Sequence, residues 1–291
     1  MGWFSLAAFL IALAVAILVG FRLYRRGVIQ PVARQSLDDR IDAMRAHTSV
    51  HMPDGDGPFP AVMLLHGCGG IRPNMADYAA LAIKAGVAAY VPDSLGPRGI
   101  SYEDAIESVC TGARLRAHER TGDLHAVLEM MRADPRVDPE RIVLAGWSHG
   151  SWTALEALAL DRAGQRPASL NVVPPHGLDG VKAIFAMYPY NSFPARSRRL
   201  PWRPDIPVEG VLVPGDTICN DADSVEVFNR QIAWGNDVRW RYVENVTHGF
   251  DEPDHHPTST LVYDADRAKI AHNLFTGFLK RHLSGDQGSD D

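Results

Sequence analysis

Short apolar runs alternate with stretches of helical periodicity along most of the chain. A short apolar run bounded by turn-forming residues is typical of a buried strand, whereas apolar residues spaced three or four apart indicate a helix. This pattern predicts strands at residues 61–66, 87–92, 141–145, 181–187, 208–213 and 238–243. It predicts helices at residues 75–85, 121–132, 150–160, 224–234 and 264–282.

This regular alternation predicts an α/β domain. A strand that leads through a helix to a neighbouring strand makes a right-handed crossover, which produces a mostly parallel sheet flanked by helices. A chain of 291 residues is long enough for one such domain, which we place at residues 45–283. We assign residues 27–44 to a tether and residues 284–291 to a disordered tail.

The N-terminal segment departs from the alternation. Residues 3–21 carry no charged side chain, and a helix of that length just covers a hydrocarbon core of about 30 Å. Arg22, Arg25 and Arg26 follow the run, and no small-x-small step ends it, which disfavours a cleaved signal peptide. A buried core helix is the other alternative. We therefore predict a single-pass transmembrane anchor at residues 1–26, with residues 3–21 in the lipid bilayer.

The arginines also bear on topology. They flank the apolar run only on its C-terminal side, and positively charged flanks tend to stay in the cytoplasm. The sequence thus favours a cytoplasmic location for the main domain. A periplasmic or extracellular location is the alternative.

Composition narrows the classes of function. The chain is 46% hydrophobic and 22% charged with a formal net charge of −6, which excludes a disordered chain and disfavours a nucleic-acid partner. Its 3 cysteines include no CxxC pair, so we expect no structural zinc site. His255 and His256 lie near acidic residues, but such a polar loop is usually solvated and we expect no metal there. An ordinary globular enzyme remains the default.

A G-x-S-x-G motif at residues 146–150 carries the strongest chemical signal. It follows the strand at 141–145 and precedes the helix at 150–160, which is the context that a nucleophile elbow requires. In such a turn the serine, here Ser148, projects from the sheet edge near a helix N-terminus that favours negative charge. We interpret Ser148 as a nucleophile. The alternative is a strand–helix turn with an incidental serine.

A glycine-rich motif at residues 66–70 (HGCGG) follows the first long strand. Its glycines allow backbone N–H groups to converge on one point, as an oxyanion hole requires. We assign the oxyanion donors to the N–H of Cys68 or Gly67 and to that of His149. We expect His66 to shape this loop and the Cys68 side chain to be a small residue, not a catalytic thiol.

The remaining members of a catalytic triad must come later in the chain. His248 follows the last predicted strand, where its loop can bring the imidazole over Ser148; a solvated surface histidine is the alternative. The acid should follow the strand at 208–213 and hold His248 in the correct tautomer. Three aspartates stand there, and each can instead cap the next helix: in order of preference they are Asp216, Asp221 and Asp223.

These motifs resemble those of the dienelactone hydrolase family of α/β-hydrolases. The matching stretches are DGPFPAVMLLHGCGG, DSLGPRG, VDPERIVLAGWSHG and VTHGFDEP, within residues 45–280. The resemblance implies an α/β-hydrolase fold with about eight strands, and cleavage of esters or lactones through a nucleophile–His–Asp triad. It implies catalytic roles for Ser148 and His248.

Two positions depart from the family pattern. Dienelactone hydrolases proper have a cysteine nucleophile, whereas this chain has Ser148, so lactone specificity does not follow. The family acid usually stands three residues after a glycine, where this chain has Ile218. The choice among the three aspartates therefore stays open.

Related sequences also bring the loops of Cys110 and Cys219 close together, which allows a disulfide between them. Such a bond would conflict with a cytoplasmic domain, because disulfides persist in oxidising compartments. At the same edge of the sheet we expect Arg98 and Asp93 to pair and fix their loop; contact with the substrate is the alternative.

Together these inferences predict a membrane-tethered serine hydrolase that cleaves small carboxylic esters without a metal or cofactor. A peptidase and an acyltransferase on the same fold are alternatives, because both would share the triad. A non-catalytic, membrane-held binding module that has lost its acid is a third.

Overall fold

The computed structural model describes residues 3–25, 32–256 and 259–284, which contain seven strands and eight α-helices. The strands are β1 (Thr48–His51), β2 (Phe59–Leu65), β3 (Ala88–Pro92), β4 (Val137–Trp147), β5 (Val181–Met187), β6 (Val208–Leu212) and β7 (Val238–Tyr242). The helices are α1 (Trp3–Arg25), α2 (Leu37–Arg45), α3 (Pro73–Lys84), α4 (Tyr102–Asp104), α5 (Ala117–Ala133), α6 (His149–Arg162), α7 (Asp221–Ala233) and α8 (Ala265–Leu283). A π-helix at Ala105–Val109 continues α4.

All strands belong to one sheet in the order β1-β3-β2-β4-β5-β6-β7. Only β1 runs antiparallel to its neighbour, so the carboxyl ends of the other strands meet at one edge. The loops after β2, β4, β6 and β7 therefore lie side by side. β1 and β7 are the two edge strands of the sheet.

The expected α/β fold with a mostly parallel sheet is confirmed, with one strand fewer among the described residues than the expected number of about eight. The described residues form seven strands, not eight, because the residues before β1 form helix α2 and add no further edge strand. β1 itself was not predicted, since three of its four side chains are exposed and it has no apolar run.

Helices cover both faces of the central strands. Alternate side chains of β2 point to opposite faces, so Met63 packs toward α5 and α6 while Leu64 packs toward α3 and α8. Both side chains are fully buried. Burial on two faces is why the central strands have continuous apolar sequences that predict them well.

Part of the expected tether is a packed helix. The Ser36 hydroxyl accepts a hydrogen bond from the Asp39 N–H at 3.0 Å and caps the start of α2. Arg40 of α2 is buried and forms an ion pair of 3.4 Å with Asp123 on α5. Residues 37–45 therefore pack on the domain.

Helix α1 carries exposed apolar side chains, with Phe9, Ile11 and Leu18 each more than 60% exposed. Among the described residues, no helix combines the length and the apolar character needed to cross a bilayer. The predicted transmembrane span is therefore not confirmed. Residues 1–2 and 26 of the predicted anchor, and residues 285–291 of the predicted tail, lie outside the described residues.

A buried carboxylate fixes the loop after β7 to the rest of the fold. Asp251 accepts hydrogen bonds from Tyr78 Oη at 2.7 Å, Trp147 Nε1 at 3.0 Å and Tyr188 Oη at 2.5 Å. Burial, followed by the charge of Asp251, raises the pKa of both tyrosines well above the ordinary value, so both phenols stay protonated donors. One side chain thus joins α3, the end of β4 and the residue after β5.

We expect Asp251→Asn to lower the free energy of unfolding by about 2–4 kcal/mol. The amide keeps one acceptor oxygen but presents an N–H group to donors that have no other partner. Urea denaturation followed by circular dichroism measures the change.

Asp254→Asn is the matched control, because Asp254 lies on the same loop, is 61% exposed on its side chain and pairs with Arg72 at the surface. An exposed ion pair contributes at most about 1 kcal/mol. Equal losses in the two variants would contradict the structural role of Asp251.

Candidate active site

The turn between β4 and α6 consists of Ser148 alone, which has φ 52° and ψ −111°. Such a conformation is strained for a residue with a side chain, and it aims Oγ away from the sheet. The glycines on each side permit it: a Cβ on Gly150 would lie 1.9 Å from Leu65 O, and one on Gly146 would lie 2.4 Å from Gly150 C. The predicted nucleophile elbow is therefore built by close backbone packing.

Ser148, His248 and Asp216 form one chain of hydrogen bonds. Ser148 Oγ lies 2.9 Å from His248 Nε2, and His248 Nδ1 lies 2.6 Å from Asp216 Oδ2. All three residues are less than 9% exposed. The second oxygen of Asp216 accepts the N–H groups of Ile218 at 2.8 Å and Cys219 at 2.9 Å, which fixes the carboxylate plane. Residue 218 thus contributes its backbone, and its side chain is not needed as the acid.

The other two candidate acids lie elsewhere. Asp221 stands in the first turn of α7 and accepts a hydrogen bond of 3.3 Å from Tyr242 Oη. Asp223 accepts a hydrogen bond from Ser192 and pairs with Arg198 at 3.4 Å. Of the three aspartates, only Asp216 contacts the imidazole.

Opposing effects act on the pKa of the His248 imidazole. Burial lowers the pKa of this imidazole, whereas the Cys219 sulfur and then the Asp216 carboxylate raise it, and the net pKa lies above the ordinary value of 6.5. The Tyr188 ring packs on the imidazole with centroids 4.4 Å apart. The ring is therefore held by its neighbours while its protonation responds to their charge.

The glycine-rich loop passes beside Ser148. β2 pairs with β4 so that Leu65 lies opposite Gly146, and a Cβ on Gly67 would lie 3.9 Å from Ser148 Cβ. His149 is the first residue of α6, so its N–H has no acceptor within the helix. Within the described chain, no backbone acceptor takes the Cys68 N–H. Both residues line a cavity together with Ser148, so these two N–H groups remain available as donors beside it.

His66 shapes this loop, as expected. Its Nε2 accepts the Ser94 N–H at 3.1 Å, so its Nδ1 carries the proton and donates to Gly67 O at 2.6 Å. Burial lowers the pKa of His66 well below the ordinary value, which keeps the ring neutral in this arrangement.

Arg120 of α5 was not anticipated, because the helical pattern gives no sign that a charged residue is fully enclosed. Its Nη1 donates to His66 O at 2.8 Å and to His149 Nδ1 at 3.1 Å, while Nε donates to Ser94 Oγ at 2.9 Å. Burial lowers its pKa to about 10, so the group is charged at neutral pH. Arg120 connects the glycine-rich loop to the turn after the nucleophile.

The expected pair of Arg98 and Asp93 is wrong. Arg98 forms a bidentate pair with Asp123 at 2.9 and 3.0 Å, because its side chain points toward the acidic residues of α5. Asp93 instead accepts the Leu95 N–H at 2.8 Å. Both arrangements still fix the loop after β3.

The cysteines also pair differently from the expectation. A disulfide joins Cys68 to Cys110, whose Cα atoms are 5.0 Å apart, and Cys219 is a buried free thiol. The Cys219 backbone is held by Asp216, which leaves Sγ 3.6 Å from Ser148 Oγ and 4.0 Å from His248 Nε2. The side chain of Cys219 therefore points toward Ser148 and His248, while Cys110 is bonded to Cys68.

Two cavities open on either side of Ser148, with volumes of about 320 Å³ and 270 Å³. His255 lies on the wall of the larger one, 3.8 Å from Glu252. No group of three or more His, Cys, Asp or Glu side chains within residues 3–25, 32–256 and 259–284 is arranged to hold a metal ion. The arrangement around Ser148 brings together a hydroxyl group, an imidazole, a carboxylate and backbone N–H groups.

Comparison with known proteins places the chain in a family. The model of the dienelactone hydrolase family matches residues 46–283. No curated protein matches the chain.

Three solved structures illustrate the likeness in fold. Dienelactone hydrolase from Anabaena variabilis is 17% identical with a TM-score of 0.55, and the match covers 81% of this chain and 92% of that one. Esterase 2 of Thermogutta terrifontis phosphonylated by cyclosarin is 14% identical with a TM-score of 0.61, covering 82% and 90%. A dienelactone hydrolase-like promiscuous phosphotriesterase from metagenomic libraries is 19% identical with a TM-score of 0.57, covering 81% and 92%.

Identities this low establish the shared fold only, whereas the family model spans most of the chain and the whole of the sheet. The chain therefore belongs to the dienelactone hydrolase family and is a carboxylic ester hydrolase.

Proposed function

We propose that the protein hydrolyses small carboxylic esters through an acyl-enzyme on Ser148. The observation that carries the proposal is the unbroken hydrogen-bond chain from Ser148 through His248 to Asp216. The adjacent glycine-rich loop supports the same chemistry, because an acyl transfer needs both a nucleophile and a site for the oxyanion.

In the first step Ser148 Oγ attacks the ester carbonyl while His248 Nε2 takes its proton. Asp216 holds the other imidazole nitrogen and stabilises the positive charge that develops on the ring. The N–H groups of His149 and of Cys68 or Gly67 stabilise the oxyanion. His248 then gives the proton to the leaving alcohol.

Water completes the reaction. With the alcohol gone, a water molecule attacks the acyl-enzyme while His248 again acts as base, and Ser148 recovers its proton as the acid is released. A lactone is a cyclic ester and would follow the same steps, with the alcohol retained on the acyl group.

We expect Ser148→Ala to lower kcat/KM for p-nitrophenyl acetate by at least about 1,000-fold, because the variant lacks the hydroxyl group that His248 contacts. A fluorophosphonate probe should label the wild-type protein on Ser148 and should not label the variant. The esterase phosphonylated by cyclosarin provides a precedent for such labelling in a similar fold.

Ser36→Ala serves as the control, because Ser36 caps α2 far from the site and its loss should leave labelling intact. Undiminished turnover by folded Ser148→Ala would overturn the proposal. Hydrolysis of peptide amides would indicate a peptidase, and transfer of the acyl group to an added alcohol would indicate an acyltransferase. A wild-type protein that the probe does not label would favour a binding module.

We expect the rate to depend on the charge of His248. The imidazole must be neutral to accept a proton, so kcat/KM should rise as the pH increases through its pKa. The Cys219 sulfur raises that pKa. Cys219→Ala should therefore move the acidic limb of the pH–rate profile to lower pH.

Ile218→Ala is the matched control for this measurement. Ile218 is the neighbouring residue and also lines the cavity that Cys219 lines, but it does not contribute to the pKa shift at His248. Replacement of Ile218 should change the rate without moving the acidic limb of the pH–rate profile. An unmoved limb in Cys219→Ala would show that the sulfur does not influence the base.

We further propose that residues 3–21 attach the enzyme to a lipid bilayer with the catalytic domain on the periplasmic or extracellular side. The absence of charge in this run and the exposure of the apolar side chains of α1 support attachment. The disulfide between Cys68 and Cys110 supports an oxidising compartment over the cytoplasm that the arginines favoured.

Trapping of thiols with N-ethylmaleimide at cell lysis tests the location. Only Cys219 should be alkylated in unfolded protein before reduction, and Cys68 and Cys110 should react only after it. Alkylation of all three cysteines without a reductant would instead support a cytoplasmic location of the domain. Release of the protein from membranes by carbonate would contradict firm attachment through residues 3–21.

A further inference from the structure

The two cavities beside Ser148 have different walls. They share Cys68, Cys110, Ser148 and Ile218, so the disulfide and Ile218 lie between them. The cavity of about 270 Å³ is lined by side chains that include Val109, Thr111, Trp152, Tyr190 and Phe193. We call it the aromatic cavity. The cavity of about 320 Å³ is lined by side chains that include Tyr102, Ile106, His248, Glu252 and Leu261, and we call it the histidine cavity.

The position of the base distinguishes what each cavity can hold. In an ester the leaving oxygen must receive a proton from the imidazole as the bond to the acyl carbon breaks. His248 lines the histidine cavity and does not line the aromatic cavity. The alcohol therefore has to leave from the side of the histidine cavity, and the acyl substituent points the other way.

The aromatic cavity is suited to a flat apolar group. The Trp152 and Tyr190 rings stack with centroids 4.9 Å apart, and His149 packs on Trp152 at 5.2 Å. Aromatic rings prefer such offset or tilted partners. A cavity of about 150 Å³ is enough to bind benzene, so 270 Å³ accommodates a ring together with a short linker.

The histidine cavity carries a carboxyl group and a guanidinium group that face each other, whereas the charged side chain on the wall of the aromatic cavity is Arg116. Glu252 and Arg72 face each other with Oε1 and Nε 3.5 Å apart, and Arg72 stacks over the Tyr102 ring at 4.1 Å. Burial raises the pKa of Glu252 to about 7, even though Arg72 lowers it. Near neutral pH this carboxyl group can either donate or accept a hydrogen bond.

We propose that the aromatic cavity binds an arylalkyl or aryl acyl group and that the histidine cavity binds a small hydroxylated alcohol. This inference rests on the proposed function, because it presumes an ester bound over Ser148. It assigns the substrate class as esters of small aromatic acids with polar alcohols.

Two residues of one short segment test the assignment. Ile106 lines only the histidine cavity and Thr111 lines only the aromatic cavity, so tryptophan at either position narrows one cavity and leaves the other. Hydrolysis of methyl acetate, methyl phenylacetate and glycerol monoacetate is followed by pH-stat titration. Each result is expressed as a ratio of kcat/KM to that of methyl acetate for the same variant.

Thr111→Trp should lower the ratio for methyl phenylacetate by at least about 10-fold and leave the ratio for glycerol monoacetate unchanged. Ile106→Trp should lower the ratio for glycerol monoacetate and leave the ratio for methyl phenylacetate unchanged. Phe193→Ala gives a second readout that cannot disturb the core, since Phe193 is 77% exposed. It should lower the phenylacetate ratio by about 2- to 10-fold.

The outcomes separate this inference from the proposed function. The reverse pattern, or equal effects of both tryptophans on both ratios, would overturn the cavity assignment while turnover and fluorophosphonate labelling of the wild type stay intact. A wild-type protein that neither hydrolyses the three esters nor reacts with the probe would overturn the proposed function itself.

Discussion

The Asp251 carboxylate is the interaction on which the geometry of the site depends. It takes three hydrogen bonds from side chains of α3, β4 and the residue after β5, and it lies three residues after His248. Trp147, one of its donors, immediately precedes Ser148. Inside a protein such bonds are stronger than in water, and an unpaired partner there is costly. One buried charge thus sets the distance between the strand that carries the serine and the loop that carries the imidazole.

The parts of the fold that sequence patterns predicted are those where burial leaves a periodic signature. β5 and the helices that cover it were placed closely, because strands enclosed on both faces are continuously apolar. β1 was missed because three of its four side chains are exposed, and α2 was missed because it is short and five of its nine residues are charged. Ser148 was found from local spacing, since the elbow requires glycine on both sides.

Pairings across the chain were harder to predict, because spacing does not say which way a side chain points. Asp216, Asp221 and Asp223 all follow the same strand, so their order along the chain ranks them without deciding among them, and the approach of the β6 and β7 loops brings Asp216 to the imidazole. The same reason explains why Arg98 was assigned the wrong carboxylate. Arg120 could not be recognised at all, since a buried arginine in a helix looks like any other.

The composition of β7 has a consequence for the behaviour of the protein in concentrated solution. Arg239 and Arg241 stand on this edge strand, and Arg239 is anchored to Asp237 at 3.1 Å. Unpaired backbone groups on an edge invite a strand from another molecule, and charged side chains repel it. The inner face of the strand is secured by Trp240 against Phe228, with ring centroids 5.8 Å apart. The sheet is therefore closed to growth at this edge, which protects the folded domain against aggregation through strand addition.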